Sequence, residues 1–239
     1  MKETYLIFQI FARLYVGVEI SSEDIITRQR PASYVLKKKG YRDMAKRQGI
    51  EKQSWKPGNV LSPVPVVLVS CGGAKGWKKN LITIAWTGSV CSEPPMLSIS
   101  VRPERYSYEI ITSTREFVVN IPTLAQARVM DWCGVVSGRN VDKFAETGLT
   151  PVSALKVRSP IVRECPLNIE CQVKKTLSLG SHTLFVAEVV AVQVSSSLVD
   201  ARGCLRLDKG GLLAFAHGQY FALGRCLGRF GYSVQKRRK

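Results

Sequence analysis

The feature that most constrains the fold is a series of strand patterns joined by short connections. Residues 167–179 and 182–195 are two long segments of this kind, separated only by Gly180 and Ser181, which predicts an antiparallel pair. Further strand patterns lie at 64–71, 79–90, 96–103 and 116–122. They lack the regular helix alternation of a parallel βαβ sheet. We therefore predict a mainly β chain whose antiparallel strands close into a barrel, because closure removes exposed strand edges.

A few helices and turns interrupt these strands. Residues 106–115 and 124–138 have helical patterns. The apolar stripe of the second helix consists of Val129, Trp132 and Val136. Asp142 is positioned to cap a short helix that ends at Gly148. Residues 72–76 read as a turn, which makes 64–90 a hairpin, whereas the apolar segment 212–234 shows no clean period.

The chain is strongly basic. Its net charge is +17 and its pI is about 9.8, although hydrophobic and charged fractions of 45% and 22% are ordinary for a globular protein. Such a charge favours anionic partners, namely phosphorylated cofactors, nucleic acid or an anionic surface. The basic runs at 37–39 and 236–239 are typical of solvated segments. Because no basic and aromatic residues interleave on a recognisable module, we expect no nucleic-acid partner.

Cysteine and histidine usage indicates neither a metal site nor a disulfide framework. The seven cysteines have no CxxC spacing, and the chain has only two histidines, so we predict no metal. Unpaired cysteines suit a reducing cytoplasm. The apolar segment 5–12 is interrupted by Arg13 and is shorter than the ~20 residues that span a bilayer, so we expect a cytoplasmic protein without a membrane partner.

The first part of the chain differs in texture from the rest. Residues 1–55 are expected to be an N-terminal extension of unknown role, and 56–239 a single domain. Our hypothesis is that residues 1–43 result from a start codon assigned upstream of Met44. The intact mass of the protein made from its native gene tests this, and a species that contains Met1 or Lys2 would contradict it.

Several motifs that carry chemistry are missing from the sequence. It has no G-x4-G-K-[ST] loop, no G-x-G-x-x-G after a strand, no H-E-x-x-H and no G-x-S-x-G. With two histidines in the whole chain, acid–base catalysis has few candidates. An enzymatic function would therefore depend on a bound cofactor that carries the reaction.

One constellation suggests a phosphate site. Ser100 and Arg102 lie at the end of a predicted strand, and Ser107 lies at the start of the following predicted helix. A helix N-terminus offers free N–H groups, and an arginine adds a charged fork. The alternative interpretation is that Ser107 merely caps the helix and Arg102 is a surface charge.

The sequence resembles the flavin reductase-like, flavoredoxin-type proteins over about residues 57–234. The matching segments are PVPVVLVS, KNLITIAWTGSVCSEPPMLSISVRPERYSYEII, EFVVNIP, CGVVSGRNVDKFAETGL, PLNIECQV, LGSHTLFVAEVVAV and YFALGRCLGRFGYS. The resemblance implies an FMN-binding split β-barrel, antiparallel and Greek-key-like. It also implies a homodimer with one FMN per subunit near the interface, and electron exchange between reduced nicotinamide, flavin and an acceptor.

The resemblance also implies roles for particular residues. Those expected along the isoalloxazine and ribityl are Asn80, Ile82, Thr83, Ala85 and Trp86. Those expected at the FMN phosphate are Ser100, Arg102, Ser107 and Lys143. His182 would lie near the flavin and bind or steer the electron donor, which makes His182 and Trp86 the candidate catalytic residues. Phe215 would pack near the ring edge.

Three functions remain open from the sequence. The first is an NAD(P)H:flavin reductase, with NADH or NADPH as donor. The second is a non-enzymatic FMN electron carrier that docks a redox protein. The third and most remote is a binder of nucleic acid or an anionic surface that uses the charge of +17.

Overall fold

The computed structural model describes residues 51–233. The proposed extension 1–43, the apolar segment 5–12 and both basic runs lie outside the described residues, and those predictions stay predictions. Residues 61–224 form one compact unit. The described residues of the other unit, 51–60 and 225–233, contain turns and irregular backbone.

Within residues 61–224 the structure has twelve strands and three α-helices. The strands are β1 (Val64–Pro65), β2 (Val67–Cys71), β3 (Asn80–Ile84), β4 (Thr87–Ser92), β5 (Pro95–Val101), β6 (Glu116–Ile121), β7 (Pro151–Val152), β8 (Ile161–Val162), β9 (Leu167–Ser178), β10 (Thr183–Val194), β11 (Leu213–Ala216) and β12 (Gln219–Ala222). The helices are α1 (Tyr106–Thr114), α2 (Ala127–Val135) and α3 (Lys143–Thr147). Short 3₁₀ turns occupy Leu124–Gln126, Ser196–Leu198 and Leu207–Lys209.

Seven strands form one antiparallel sheet in the order β3-β2-β6-β9-β10-β5-β4. β3 and β4 lie at opposite edges of this order, although only Ala85 and Trp86 separate them in the chain. The sheet must therefore curl until its edges approach each other at a seam beside Ala85 and Trp86. The Ser100 N–H donates to the Trp86 carbonyl at 2.9 Å, which extends the β4–β5 pairing back to Trp86. The arrangement is a split β-barrel, which confirms the predicted fold class.

The same seam corrects the prediction of one strand over 79–90. Residues up to Ile84 pair with β2, and residues from Thr87 pair with β5. One regular strand edge cannot pair with two partners that lie at opposite ends of the sheet, so the backbone breaks at Ala85 and Trp86. The predicted hairpin 64–90 is confirmed between Val67 and Ile84, whereas Val64 and Pro65 pair with β11 instead. The predicted turn 72–76 lies within the connection 72–79, with positive φ at Gly72, Gly73 and Gly76.

The helices follow the prediction with one adjustment. Helix α1 is confirmed, and in α3 the Asp142 carboxylate accepts N–H bonds from Phe144 and Ala145 while Gly148 adopts φ 70° after the last turn. The prediction of a helix over 124–138 is too long, because a 3₁₀ turn precedes α2 and Val136 is already extended. The buried stripe of α2 is Met130 and Cys133, whereas the predicted stripe residues Val129, Trp132 and Val136 are half-buried.

A three-stranded sheet in the order β1-β11-β12 completes the unit. Residues 213–222 of the segment without a clean period therefore form a hairpin, turned by His217 and Gly218 at φ 52° and 77°. Two positive φ values in a two-residue turn match the twist of flanking strands.

Alternation along the strands produces two apolar cores. Val67, Val69, Ile82 and Ile84 point into the barrel. Their neighbours Leu68 and Leu81 point outward and pack with α2 and α3; this second cluster consists of Val66, Leu68, Leu81, Met130, Cys133, Phe144, Leu149, Val162, Cys165 and Leu213. No helix among the described residues is long and apolar enough to cross a membrane.

Candidate functional site

The start of β3 and the start of α1 are joined by a buried polar pair. The Asn80 Nδ2 donates to Ser107 Oγ at 2.8 Å, and both side chains are buried. Ser107 is the second residue of α1, and the N-cap is Arg105, whose side chain does not cap the helix. The interpretation of Ser107 as a helix cap is therefore wrong. The Tyr108 N–H donates to the Arg105 carbonyl at 2.9 Å. Because no side chain caps α1, the N–H groups of Tyr106 and Ser107 are available to an external acceptor.

A glycine on the connection between α2 and α3 makes room for this pair. A Cβ atom at Gly138 would lie 2.0 Å from Asn80 Oδ1, far inside van der Waals contact. Only a residue without a side chain lets this backbone approach so closely. Gly138 therefore fixes the position of the Asn80 amide.

Lys143, the first residue of α3, lies buried beneath the same region. Its Nζ donates to the Leu81 carbonyl at 2.8 Å and to the Cys133 carbonyl at 2.7 Å. Burial lowers the pKa of Lys143 to about 8; the Cys133 thiol opposes the shift and Arg105 reinforces it. A protonated lysine has three N–H donors, so the two carbonyls leave one donor for a ligand.

These groups line a cavity of about 370 Å³. Its lining consists of Asn80, Ile82, Arg102, Glu104, Arg105, Tyr106, Ser107, Cys133, Val136, Ser137, Gly138 and Lys143. Arg102 and Arg105 lie exposed at the rim, and Glu104 is 4.0 Å from Arg102. Three cationic side chains against one carboxylate make this cavity suited to an anion, and arginine forks match phosphate oxygens.

A second cavity of about 180 Å³ adjoins the first. Its lining consists of Ile82, Thr83, Ile84, Ala85, Trp86, Ser100, Val101, Arg102, Arg105 and His182. It shares Ile82, Arg102 and Arg105 with the first cavity, so the two form one continuous groove along the barrel seam. The Thr83 hydroxyl donates to the Met130 carbonyl of α2 and keeps lone pairs that can accept a bond.

Trp86 and His182 stack at the open end of this second cavity. Their ring centroids are 4.2 Å apart with the planes inclined at 36°, and Trp86 is 44% exposed. Burial lowers the pKa of His182; Arg102 adds to this and Glu104 opposes it, so the surroundings favour the neutral imidazole. The His182 Nδ1 also lies 2.9 Å from Ser181 Oγ.

The structure gathers most of the residues predicted from the sequence into this groove. The first cavity holds Asn80, Ile82, Arg102, Ser107 and Lys143; the second holds Ile82, Thr83, Ala85, Trp86, Ser100, Arg102 and His182. Phe215 lines neither cavity. It packs with Ala85 in the outer apolar cluster and contacts Tyr220 at 5.3 Å between ring centroids.

The sequence interpretation missed seven lining residues of the first cavity and two more of the second. They are Glu104, Arg105, Tyr106, Cys133, Val136, Ser137 and Gly138 in the first, and Ile84 and Val101 in the second. Arg105 and Tyr106 lie inside the segment RPERYS, in which only Arg102 and Ser107 were predicted as site residues. Ser137 and Gly138 lie inside the matching segment CGVVSGRN, whose serine–glycine step signals a close backbone approach.

Comparison with known proteins places the site in a family context. Residues 61–224 match the flavin reductase like domain. Flavoredoxin of Desulfovibrio vulgaris (Miyazaki F) is similar at 33% identity and a TM-score of 0.72, over 77% of this chain and 100% of that one. Flavoredoxin from Methanosarcina acetivorans is similar at 30% identity and a TM-score of 0.68, with the same coverage. The FMN reductase (NADH) RutF of Acinetobacter baylyi is 24% identical over 60% of this chain and 73% of its own length.

Proposed function

The chain belongs to the flavin reductase-like family, and from this premise we propose that it is an FMN-binding oxidoreductase that takes electrons from NADH or NADPH. The observation that carries the proposal is the groove itself, in which a cationic cavity adjoins a less polar one that an aromatic pair lines. FMN has the same two parts, a phosphate at one end and a flat ring system at the other. The similarity to RutF supports the reductase activity.

The cationic cavity has the right donors for the FMN phosphate. Arg102, Arg105 and Lys143 would supply charged N–H groups, and Ser107 and the uncapped start of α1 would supply neutral ones. Because Lys143 is fixed by two carbonyls, its third donor needs little reorganisation to meet a phosphate oxygen. The proposal adds Arg105 to the predicted set of Ser100, Arg102, Ser107 and Lys143.

The second cavity offers the apolar side chains of Ile82, Ile84, Ala85 and Val101 to the ring. Ile82 and the small Ala85 leave room beside the seam, and the hydroxyl oxygen of Thr83 can accept a bond. Bound FMN would supply the hydride-accepting and electron-transfer chemistry. Trp86 and His182 lie at the open end, where the neutral imidazole can hydrogen-bond an incoming nicotinamide donor.

The proposal extends to assembly and location. Exposed apolar side chains on the long β9–β10 hairpin, namely Leu177, Leu179 and Val192, would be covered in a homodimer with one FMN per subunit. The seven cysteines are free, which suits a cytoplasmic location. Residues 56–239 are proposed as the domain that carries this function.

The decisive experiment is an absorbance spectrum of the purified protein, before and after FMN is added. A flavin band that stays with the protein through gel filtration supports the proposal, and its absence after FMN addition contradicts it. Anaerobic mixing of the flavin-loaded protein with NADH and with NADPH then tests the reductase. We expect the flavin band to bleach, with the preferred donor giving faster bleaching.

A matched pair of variants tests the phosphate site. Arg102→Ala removes a charged donor from the groove and should weaken FMN binding by about 1.5–3 kcal/mol, or roughly 10- to 100-fold. Arg128→Ala is the control, because Arg128 is exposed on α2 and lines neither cavity. Equal FMN affinity of the two variants would refute the phosphate role of Arg102.

An electron carrier is the second candidate, because two of the similar solved structures are flavoredoxins. A carrier would keep FMN bound and receive electrons from a redox protein. Bound flavin that is not bleached by either nicotinamide, but is reduced by dithionite and reoxidised by a redox protein, would favour this function over the reductase.

A further inference from the structure

The hydrogen bonds of Lys143 leave its nitrogen ready for a second kind of chemistry. A neutral amine has two N–H groups and one lone pair. The carbonyls of Leu81 and Cys133 take two N–H groups at 2.8 and 2.7 Å. The remaining tetrahedral position is then the lone pair, and Lys143 is a lining residue of the 370 Å³ cavity.

The environment of this amine also favours its neutral form. Burial lowers the pKa of Lys143 to about 8, the thiols of Cys133 and Cys71 oppose the shift, and Arg105 reinforces it. At pH 7 about a tenth of the molecules then carry the neutral amine, against less than a thousandth for an ordinary exposed lysine. The lysines Lys78 and Lys79, just before β3, are exposed and serve as internal references.

The same cavity contains a means of holding a phosphate near this amine. Arg102 and Arg105 line it together with Lys143, and their guanidinium groups bind phosphate oxygens in pairs. A small molecule that carries both a phosphate and an electrophilic carbonyl would therefore be held with the carbonyl close to the nucleophile. Proximity of this kind accelerates a bimolecular step strongly.

We propose that Lys143 is a covalent capture site for small phosphorylated aldehydes. The Lys143 nitrogen adds to the aldehyde carbon, and a proton moves from nitrogen to the carbonyl oxygen to give a carbinolamine. The hydroxyl then leaves with the remaining proton of the nitrogen as water, and the C=N bond of an imine forms. No oxidant or reductant is consumed, and the step is reversible until the imine is reduced.

The capture itself does not depend on a flavin. A consequence for regulation does rest on the proposed function, because the adduct would occupy the cavity assigned to the FMN phosphate. Aldehyde and flavin would then exclude each other, and an accumulating phosphorylated aldehyde would lower the flavin occupancy of the protein.

Pyridoxal phosphate and phosphate-free pyridoxal are matched probes for this site. The flavin-free protein is incubated with each probe, reduced with borohydride, digested, and the modified lysines are quantified by mass spectrometry. We expect Lys143 to be modified by pyridoxal phosphate at least ~10-fold faster than Lys78 or Lys79, and the preference to fall about tenfold or more with pyridoxal. Arg105→Gln should remove most of the difference between the two probes, and inorganic phosphate should protect Lys143.

Two results would overturn the proposal: modification of Lys143 no faster than that of Lys78 and Lys79, or equal modification by both probes. Labelling in the presence and absence of FMN separates the capture proposal from the proposed function. Protection of Lys143 by FMN supports both the capture and the flavin site. Selective modification in a protein that never binds FMN would leave the capture standing and refute the proposed function. FMN binding without selective modification of Lys143 would refute the capture and leave the proposed function standing.

Discussion

Replacing Gly138 by alanine tests how the groove is built. The new Cβ would lie 2.0 Å from Asn80 Oδ1 and 2.7 Å from its Cγ, whereas ordinary contact begins at 3.4 Å. The Asn80 side chain is 2% exposed and donates to Ser107 at 2.8 Å, so a shift away from the new methyl group into the cavity would break that bond. Backbone strain does not contribute, because Gly138 does not adopt a positive φ.

The expected cost follows from these contacts. Overpacking of a buried site costs about 1–3 kcal/mol, and the lost hydrogen bond costs about 1 kcal/mol. Alanine also restricts the unfolded chain more than glycine does, which stabilises the folded state by about 0.4–1 kcal/mol. We therefore expect Gly138→Ala to lower the free energy of unfolding by about 1–3 kcal/mol and, because Asn80 and Ser107 line the anion cavity, to weaken FMN binding about tenfold.

Urea unfolding without flavin and FMN titration by fluorescence measure the two effects. Gly88→Ala is the matched control, since its Cβ would meet no atom within 4 Å and its φ is not positive; we expect it to stay within about 0.5 kcal/mol of the wild type. Asn80→Ser shortens the opposing side chain and should recover part of the stability in the double variant. If Gly138→Ala matches Gly88→Ala in both measurements, the packing argument fails.

Three further predictions follow from charge and burial. Lys143→Met should weaken FMN binding about tenfold or more at pH 7. The FMN affinity of the wild type should also fall as pH rises above about 8, where Lys143 loses its proton. A titration series in which both proteins show the same pH profile would contradict the role of Lys143. Glu170 is buried, and although burial would raise its pKa, the N–H groups of residues 155–157 and the Gln193 amide hold it below its usual range. The stabilisation that these bonds give is therefore present at neutral pH and is lost as pH falls through the folded pKa of Glu170. In urea unfolding, Glu170→Gln should lower the free energy of unfolding by about 1–3 kcal/mol at pH 7 and by less below about pH 4. A pH-independent difference would refute this. Cys91 and Cys226 are exposed and should react with a thiol reagent in the native protein. Burial raises the pKa values of four other cysteines, which should react only on unfolding: Cys71, Cys133, Cys165 and Cys171. Fast labelling of any of these four in the native protein would count against the core packing.

Local signals were sufficient for much of the fold. The Asp142 cap and the Gly148 end of α3 were predicted because each depends on contacts within a few residues. The strands β6, β9 and β10 were found nearly to their bounds, since apolar alternation and a two-residue connection need no distant partner. The hairpin of β11 and β12 was missed because a residue with a Cβ, His217, occupies one of its two left-handed positions.

Non-local features were beyond the sequence pattern. Nothing near Lys143 shows that its amine is buried against the carbonyls of Leu81 and Cys133, since its position at the start of a short polar helix is typical of an exposed residue. Arg105 was overlooked for a similar reason. Whether an arginine in RPERYS faces the groove or solvent depends on how the β5–α1 connection turns. The family resemblance supplied Lys143 and omitted Arg105, so resemblance and geometry contributed different residues.

The break at Ala85 and Trp86 accounts for where the groove lies. A strand that continued through these residues would use their backbone groups in a ladder and close the surface with side chains. Because the chain changes partners there, the pairing with β2 ends at Ile84, and the pairing with β5 begins at the bond from the Ser100 N–H to the Trp86 carbonyl. Ile82 on β3 and Arg102 and Arg105 after β5 line both cavities beside this change of partner. The first and second cavities therefore join at the place where the chain passes from one edge of the sheet to the other. A substitution that let β3 continue into β4 as one strand would be expected to remove the groove together with the seam.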